Sequence, residues 1–169
     1  MKNKKLQLFV TMGIPGSGKS YFAERFCKEY GLVHLRSDEI RKLIFAKPTF
    51  SREENLGLFS LIDFFVDTLL LRGVGVVYDS NFSLKKRRVR LLKMAKMRKA
   101  TFAIFWVKTP IDVAIRRAKS RAFHPISERV VKLMDSEIEV PKGEPVVEID
   151  GTKSYKEQKA VVLKSKFLA

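Results

Sequence analysis

The residues best suited to chemistry lie between Gly13 and Ser20, where the sequence reads GIPGSGKS. This segment matches the pattern G-x-x-x-x-G-K-[ST], the phosphate-binding P-loop. Glycines permit backbone conformations that point successive N–H groups at phosphate oxygens. The predicted nucleotide-binding residues of this loop are Gly13, Pro15, Gly16, Ser17, Gly18, Lys19 and Ser20.

Lys19 and Ser20 supply the charge and the hydroxyl of this loop. The Lys19 ammonium is expected to contact the β- and γ-phosphates during catalysis, and the Ser20 hydroxyl to ligate Mg²⁺. The positive end of the helix that follows adds to the attraction for phosphate. The sequence lacks the Asn-Lys-x-Asp motif with which GTPases read their base, so the predicted donor is ATP with Mg²⁺.

An acid and an arginine follow the second predicted strand, in the segment from Arg36 to Arg41. The carboxyl ends of parallel strands line the ligand crevice, so Asp38 is placed to accept the proton of an acceptor hydroxyl as a catalytic base. Arg41 lies three residues further along the same helix face and is suited to bind a substrate phosphate. The alternative is an acid at a helix N-terminus beside a surface arginine.

The third predicted strand ends near Asp79 and Asn81, which we expect to contact the substrate. The Asp79 carboxylate is suited to accept from the water shell of Mg²⁺, or to orient Arg41 or the substrate. The structural alternative for Asp79 is an Asx turn. Nearer the C-terminus, the predicted strand and turn over 146–152 offer backbone groups that frame an adenine.

Arg117 and Arg121 are four residues apart in a basic segment and are predicted to share a helix face and bind ATP. Guanidinium groups stabilise the charge that spreads over a transferring phosphoryl group, which gives Arg121 a catalytic role. The turn over 122–125 suits a mobile lid, covering about residues 112–135, that closes over the nucleotide. A solvated basic helix is the alternative interpretation.

These residues need a scaffold in which strands and helices alternate. Apolar runs predict strands over 6–12, 32–36, 74–78, 101–107 and 145–149. Helices are predicted over 20–30, 38–45, 51–71, 83–99, 111–120, 126–139 and 155–167. Such alternation indicates βαβ units. The predicted fold class is a three-layer α/β P-loop fold, in which a parallel five-stranded sheet has helices on both faces, as a single domain over residues 1–169.

Two local signals refine the helices. Ser37 is suited to cap the helix after the second strand, and Ser51 with Glu54 resembles a capping box. Apolar residues cover most of the circumference of the helix over 51–71, which predicts a largely buried helix. The helix over 83–99 is different, because residues 85–99 include nine basic side chains and no acid.

The chain resembles P-loop kinases of the polynucleotide kinase type, a group close to the zeta-toxin-like and AAA-type predicted kinases. The matching residues, in order, are 13–20, 37–41, 78–81, Arg117 with Arg121, and Pro125 with Ile126. The resemblance runs from about Leu6 to Thr152. Family members often carry Arg-Asn in the lid helix, whereas Ala118 follows Arg117 here.

The resemblance implies a parallel five-stranded sheet with a helical lid. It also implies three residue roles: Asp38 as the general base, Arg41 on a phosphate of the acceptor, and Arg121 on the ATP phosphates. These motifs specify a kinase more closely than they specify its acceptor.

The amino-acid composition limits the kinds of partner and the cellular location that we expect. The chain has 169 residues, with 34 Lys and Arg against 18 Asp and Glu, and this net charge of +16 favours polyanionic partners. A single cysteine and two histidines argue against a disulfide scaffold or a His/Cys metal cage. The N-terminal apolar run is short for a signal peptide, and the longest apolar stretch, over 56–71, contains two aspartates. We therefore expect a cytoplasmic protein with no membrane partner.

Three functions fit the sequence. The first is a kinase for the 5′-hydroxyl of a polynucleotide, which the positive charge favours. The second is a kinase for a small hydroxyl acceptor such as a nucleoside, sugar or antibiotic. The third is a nucleic-acid-binding ATPase or switch without an acceptor, which would need no base at the position of Asp38. No protein partner is predicted.

Overall fold

The computed structural model describes residues 5–121 and 125–167, which form a three-layer α/β fold. Five parallel strands form one sheet in the order β2-β3-β1-β4-β5. The strands are β1 Gln7–Met12, β2 Val33–Arg36, β3 Val76–Asp79, β4 Thr101–Lys108 and β5 Val146–Asp150. The helices are α1 Lys19–Tyr30, α2 Ser37–Ile44, α3 Arg52–Leu71, α4 Lys85–Met97, α5 Ile111–Lys119, α6 Glu128–Ser136 and α7 Tyr155–Leu163. The predicted fold class is confirmed.

Strand β1 lies at the centre of the sheet, and all its residues are buried. Leu8, Val10 and Met12 pack in the same cluster as residues of α3 and α4. Phe9 packs on the other face with residues of α1 and α7. Alternate side chains of a strand point to opposite faces, so a strand covered on both sides is apolar throughout. The loop after Met12 therefore leaves from the middle of the carboxyl edge.

Helix α3 is less buried than its sequence predicts. One face packs against the sheet through Leu58, Ile62, Val66 and Leu70. Other apolar side chains are mostly exposed, at 60% for Leu56, 64% for Phe64 and 63% for Leu71. The prediction of a largely buried helix was wrong because the sheet supports one face of α3 and leaves these side chains in solvent.

The predicted helix caps are only partly present. The Ser51 hydroxyl accepts from the Glu54 N–H at 3.2 Å, but the Glu54 carboxylate binds elsewhere, so the box is incomplete. A reciprocal capping box forms instead between Ser154 and Glu157. Ser37 is not a cap, because β2 runs directly into α2 and Arg36 occupies the N-cap position.

Arg88 is fully buried in the N-terminal half of α4. Its Nε and Nη2 donate to the two carboxylate oxygens of Glu144, both at 2.9 Å. Nη1 donates to the carbonyls of Phe82 and Ser83, and Nη2 also donates to that of Glu139. These contacts use all the N–H donors of the guanidinium. Arg88 thus fixes the segment after α6 to the loop after β3.

Helices α5 and α6 form a small apolar cluster of their own with the loop after β1. The cluster contains Ile14, Ala114, Ile115, Ala118 and Val131. Most of the turn predicted over 122–125 lies outside the described residues. Within 5–121 and 125–167, none of the helices has the length and hydropathy needed to cross a bilayer.

Candidate active site

The loop between β1 and α1 has the backbone conformation that its glycines predict. Gly16 has φ +82°, and a Cβ there would lie 2.1 Å from the Ala114 carbonyl oxygen of α5. Gly18 is the N-cap of α1 in the left-handed conformation, with φ +99°. Both positions require glycine, because a side chain would be strained and, at Gly16, would collide with α5.

Hydrogen bonds hold this loop in shape. The Ser17 N–H and the Lys19 ammonium both donate to the Ile14 carbonyl, at 3.1 and 2.9 Å. The Thr109 hydroxyl, after β4, donates to the Ser17 carbonyl at 2.9 Å. Pro15 is buried within the loop. The loop is thus held by its own residues and by the neighbouring strand, and its shape suits a phosphate cradle.

Charged groups converge on Lys19. Burial lowers the pKa of its ammonium from 10.5 to about 8, the Asp79 and Asp38 charges oppose that shift, and the Arg121 charge adds to it. Three residues predicted from separate segments therefore act electrostatically on the P-loop lysine. Burial thus disfavours the charged form of Lys19, and an anion such as a phosphate beside it would favour that form.

Asp79 ends β3 beside the cradle and is 5% exposed. Its carboxylate accepts from the Thr11 hydroxyl at 2.8 Å and lies 3.2 Å from His34 Nε2. Burial alone would raise the pKa of Asp79, but the hydrogen bonds of His34, Ser20 and Thr11 and the Lys19 charge hold it below its usual value. The carboxylate is thus kept ionised within contact of Ser20. His34 was not predicted as a site residue, because one histidine in a short strand carries no signal of its own.

Ser20 is the residue predicted to ligate a divalent cation, and Asp79 lies beside it. Within the described residues, no group of three His, Cys, Asp or Glu side chains could hold a metal ion. Mg²⁺ is commonly held by one or two protein oxygens together with substrate phosphates and water. The hydroxyl of Ser20, hydrogen-bonded to the Asp79 carboxylate, fits a cation that arrives with the nucleotide.

Asp38 lies in the first turn of α2, directly after β2, and is exposed. Within the described part of the chain its carboxylate has no hydrogen-bond or ion-pair partner, while its charge acts on Lys19. Asp38 therefore lies in the crevice in which β2 ends, with an oxygen available to an acceptor.

Arg41 is engaged by α3 rather than exposed to the crevice. It is 5% exposed, its Nη1 pairs with Glu54, and its Nη2 donates to Asn55 at 2.6 Å. The Glu54 carboxylate also accepts from the Thr49 hydroxyl at 2.8 Å. The Arg41 Nε is buried without a partner among the described residues. Sequence analysis missed Glu54 and Asn55, because their pattern predicted only the start of a helix.

Arg117 and Arg121 occupy different positions from those predicted. Helix α5 ends at Lys119, so Arg121 lies beyond it, and the predicted shared helix face was wrong. Arg117 Nη1 donates to the Gly151 carbonyl at 2.9 Å. Arg121 acts on Lys19, as described above. One arginine thus holds the turn after β5, and the other adds positive charge at the cradle.

The turn at Gly151 packs closely on the P-loop. A Cβ at Gly151 would lie 2.1 Å from the Ser17 carbonyl and 2.2 Å from the Thr109 hydroxyl. The segment predicted to frame the adenine therefore lies beside the cradle. Asn81 follows β3 in the crevice, and its side-chain oxygen is buried without a partner among the described residues.

Comparison with known proteins places these residues in a family. The model of the AAA domain family matches residues 8–141, which include the P-loop, Asp38, Asp79, Arg117 and Arg121. The chain is 26% identical over 157 residues to the mitochondrial GTP:AMP phosphotransferase of Drosophila melanogaster, covering 86% of this chain and 73% of that protein.

Several solved structures share the fold. A sugar kinase from Janibacter sp. superposes with a TM-score of 0.75 at 17% identity, covering 97% of this chain and 96% of that one. A gluconokinase from Sinorhizobium meliloti superposes with a TM-score of 0.70 at 20% identity, covering 95% of this chain and 91% of that one. A chain of the Pnkp1/Rnl/Hen1 RNA repair complex superposes with a TM-score of 0.70 at 20% identity, covering 79% of this chain and 44% of that one.

Proposed function

Because this chain belongs to the AAA domain family and carries the site just described, we propose that it is an ATP-dependent kinase that phosphorylates an acceptor hydroxyl. The observation that carries the proposal is the convergence of Asp38, Asp79 and Arg121 on Lys19. A nucleotide switch needs the cradle and the cation site, but it has no use for a free carboxylate at the end of β2.

The donor half of the reaction uses the loop after β1. The proposed phosphate contacts are backbone N–H groups of the loop over 13–20, apart from Pro15, which has none, and Ser17, whose N–H donates to the Ile14 carbonyl. Lys19 follows the transferring group. Ser20 and Asp79 would hold Mg²⁺, which when bound neutralises charge on the β- and γ-phosphates. Arg121 adds positive charge beside Lys19, where negative charge grows during transfer. Helices α5 and α6 form the proposed lid over about residues 112–135.

The acceptor half uses Asp38. Its carboxylate takes the proton of the acceptor hydroxyl as that oxygen attacks the γ-phosphorus, and the bond from that phosphorus to the β,γ-bridging oxygen breaks. Asn81 and Arg41 are the proposed acceptor contacts. The charge of Arg41 is already paired with Glu54. Its contribution to acceptor binding would therefore be a hydrogen bond from the unpartnered Nε rather than a free positive charge.

Charge at the acceptor edge favours a small acceptor. Residues 36–54, which contain Asp38 and Arg41, include five basic and four acidic side chains, although the whole chain has a charge of +16. Arg36 and Lys42 each lie near Glu39, at 3.6 and 3.5 Å. A nearly balanced edge attracts a polyanion weakly. The phosphotransferase and gluconokinase among the similar proteins also have small acceptors by their names.

A polynucleotide 5′-end is the second candidate acceptor. The net charge of +16 and the similarity to a chain of an RNA repair complex favour it. Most of the basic helix α4 lies away from the crevice, because α4 leaves the carboxyl edge after β3 and runs to the opposite edge of the sheet. The small acceptor is therefore the first proposal and the polynucleotide the second.

The test pairs Asp38→Asn with Glu39→Gln, its exposed neighbour on α2. We expect Asp38→Asn to lower kcat by about 10²–10⁴-fold while ATP binding persists, because it removes only the base. The Glu39→Gln variant should keep its activity. Equal activity of Asp38→Asn and the unmodified protein would exclude the base.

The acceptor is identified by incubating the protein with Mg²⁺ and γ-labelled ATP. One series offers nucleosides, nucleotides and sugars, and another offers 5′-hydroxyl oligonucleotides of DNA and RNA. Label on a small molecule supports the first proposal and label on oligonucleotides the second. ATP hydrolysis without label on any acceptor would contradict the kinase and favour a nucleotide switch.

A further inference from the structure

A groove of about 630 Å³ separates α3 from α4 on the outer side of the helical layer. Its apolar lining includes Phe64 of α3 and Met94 and Met97 of α4. Phe64 is 64% exposed and Met97 72% exposed. Large apolar side chains that share one groove in solvent are typical of interaction sites, and methionine side chains adapt to a partner's shape.

The charges in the groove are unevenly paired. Asp63 lies 2.9 Å from Arg90 Nε, and Asp67 accepts two hydrogen bonds from Arg98, at 2.8 and 2.7 Å. The two acids are thus matched by two arginines. Lys86 and Lys93 also line the groove and are exposed, and neither has an acidic partner within the described residues. The groove therefore combines an apolar lining with two positive charges, Lys86 and Lys93, that no acidic side chain pairs among the described residues.

The groove does not belong to the kinase site. Lys86 and Lys93 lie on the exposed face of α4, whereas its buried residues Arg88, Leu91 and Ala95 face the sheet. Met97 is the last residue of α4, which ends before β4 begins at the edge opposite the P-loop. A ligand lying along this groove would run across the outer layer, away from Lys19 and Asp38.

We propose that the groove between α3 and α4 binds an acidic amphipathic helix of a partner protein. A groove between two packed helices accepts the side-chain ridge of a third helix. The partner's apolar stripe would cover Phe64, Met94 and Met97. Its acidic residues would pair with Lys86 and Lys93, which supplies the charge complementarity that selects the partner.

Two other occupants fit less well. A nucleic-acid strand would bring its phosphates near Asp63 and Asp67, and two of the four cations are already used by those acids. A symmetric contact with a second copy would bring two copies of α4 together, each with seven basic residues and no acid between Lys85 and Met97. Repulsion between like charges disfavours that contact.

The test uses a synthetic helix of leucine, alanine and glutamate, with the leucines on one face and glutamates beside them. Its binding to the full chain is measured by fluorescence anisotropy. We expect a dissociation constant in the micromolar range. An isomer of the same composition, with leucines spread around the helix, should bind at least about tenfold more weakly, because it cannot cover the apolar lining.

Variants localise the binding. Lys86→Glu with Lys93→Glu should weaken the amphipathic helix at least about tenfold, and Phe64→Ser should do the same. Lys156→Glu with Lys164→Glu, an exposed pair in and after α7, is the matched control and should leave binding unchanged. Circular dichroism and ATP binding check that each variant stays folded, since none of these residues belongs to the kinase site.

Any one of four results would overturn the proposal. The first is equal binding of both peptide isomers, and the second is equal loss of binding in the α4 and α7 charge variants. The third is preferential binding of a single-stranded oligonucleotide that the α4 variant abolishes, which would make the groove a nucleic-acid site. Concentration-dependent dimers in light scattering that Phe64→Ser abolishes would assign the groove to a second copy instead.

Discussion

At the scale of single residues, the burial of Lys19 determines the pH at which its ammonium loses a proton. Burial lowers the pKa of its ammonium to about 8, so above that pH the lysine of the free protein is largely neutral. Bound phosphates favour the charged form and raise this pKa again. Binding of ATP above pH 8 must therefore take up a proton at Lys19.

We predict that proton uptake on ATP binding rises as pH increases through about 8, and that the affinity for ATP falls over the same interval. Well below pH 8 the lysine is charged in both states and takes up no proton. Calorimetry in buffers of different ionisation enthalpy measures the uptake. The Lys19→Arg variant, whose guanidinium stays charged, should show none from this residue. An unchanged uptake in that variant would contradict the assignment to Lys19.

The candidate site was predictable where its residues carry a local pattern. The P-loop has a motif, and Asp38 and Asp79 follow strands whose ends must meet at one edge. Glu54 and His34 carry no such pattern, because their roles arise from packing between segments distant in sequence. Glu54 reaches Arg41 only when α3 lies on α2, and His34 reaches Asp79 only when β2 pairs with β3.

At the scale of elements, the P-loop and the proposed lid are in direct contact. Gly16 lies so close to α5 that a Cβ would come within 2.1 Å of the Ala114 carbonyl. Arg117 of the same helix holds the Gly151 carbonyl. The position of α5 is therefore linked to the shape of the cradle.

We predict that Gly16→Ala reduces the affinity for ATP and lowers the free energy of unfolding by more than about 1 kcal/mol, because it combines φ strain with a collision. Gly57→Ala, at an exposed position in the N-terminal half of α3, is the matched control, since a Cβ there meets nothing within 4 Å. It should stabilise the protein by about 0.5–1 kcal/mol. Urea unfolding and calorimetry measure both variants. Equal effects of the two substitutions would contradict the proposed contact.

Arg88 provides a second link between elements. We predict that Arg88→Met lowers the free energy of unfolding by about 3–5 kcal/mol, because Glu144 would keep a buried charge and three carbonyls would lose a donor. Lys96→Met, on the exposed face of α4, should change it by less than about 0.5 kcal/mol. Urea denaturation provides both values. A small effect of Arg88→Met would show that the segment after α6 is held by other contacts.

The elements themselves were predicted with small shifts at their ends, because strands and helices leave periodic signals. The exposed face of α3 was not predicted. Apolar residues around a helix indicate burial but do not say how many layers are available to bury it, and here the sheet covers only the side of Leu58 and Ile62. The groove between α3 and α4 follows from that difference.

At the scale of the whole molecule, the charge of +16 is spread unevenly. The acceptor edge is nearly balanced, and much of the excess lies on α4. A small neutral acceptor therefore meets little net charge as it enters the crevice. A polynucleotide would gain its affinity from phosphate contacts and would release counterions.

We predict that kcat/KM for the acceptor changes less than about threefold between about 50 and 200 mM salt, with ATP and Mg²⁺ saturating, if the acceptor is small and neutral. A polynucleotide acceptor with six or more phosphate contacts would lose about 10³-fold or more over the same interval. Initial rates at a series of salt concentrations measure the slope. A steep slope would reverse the order of the two proposed acceptors.

The central position of β1 has a consequence for how the chain folds. β1 precedes the other four strands of this sheet in the chain, yet its neighbours β3 and β4 begin at Val76 and Thr101. Pairing over such sequence separations is slow to form and leaves the early strand open to wrong partners. We therefore expect a ribosome-bound chain to bind no nucleotide until β4 has emerged. Until then, chaperones rather than bound nucleotide would protect the apolar β1 from wrong partners.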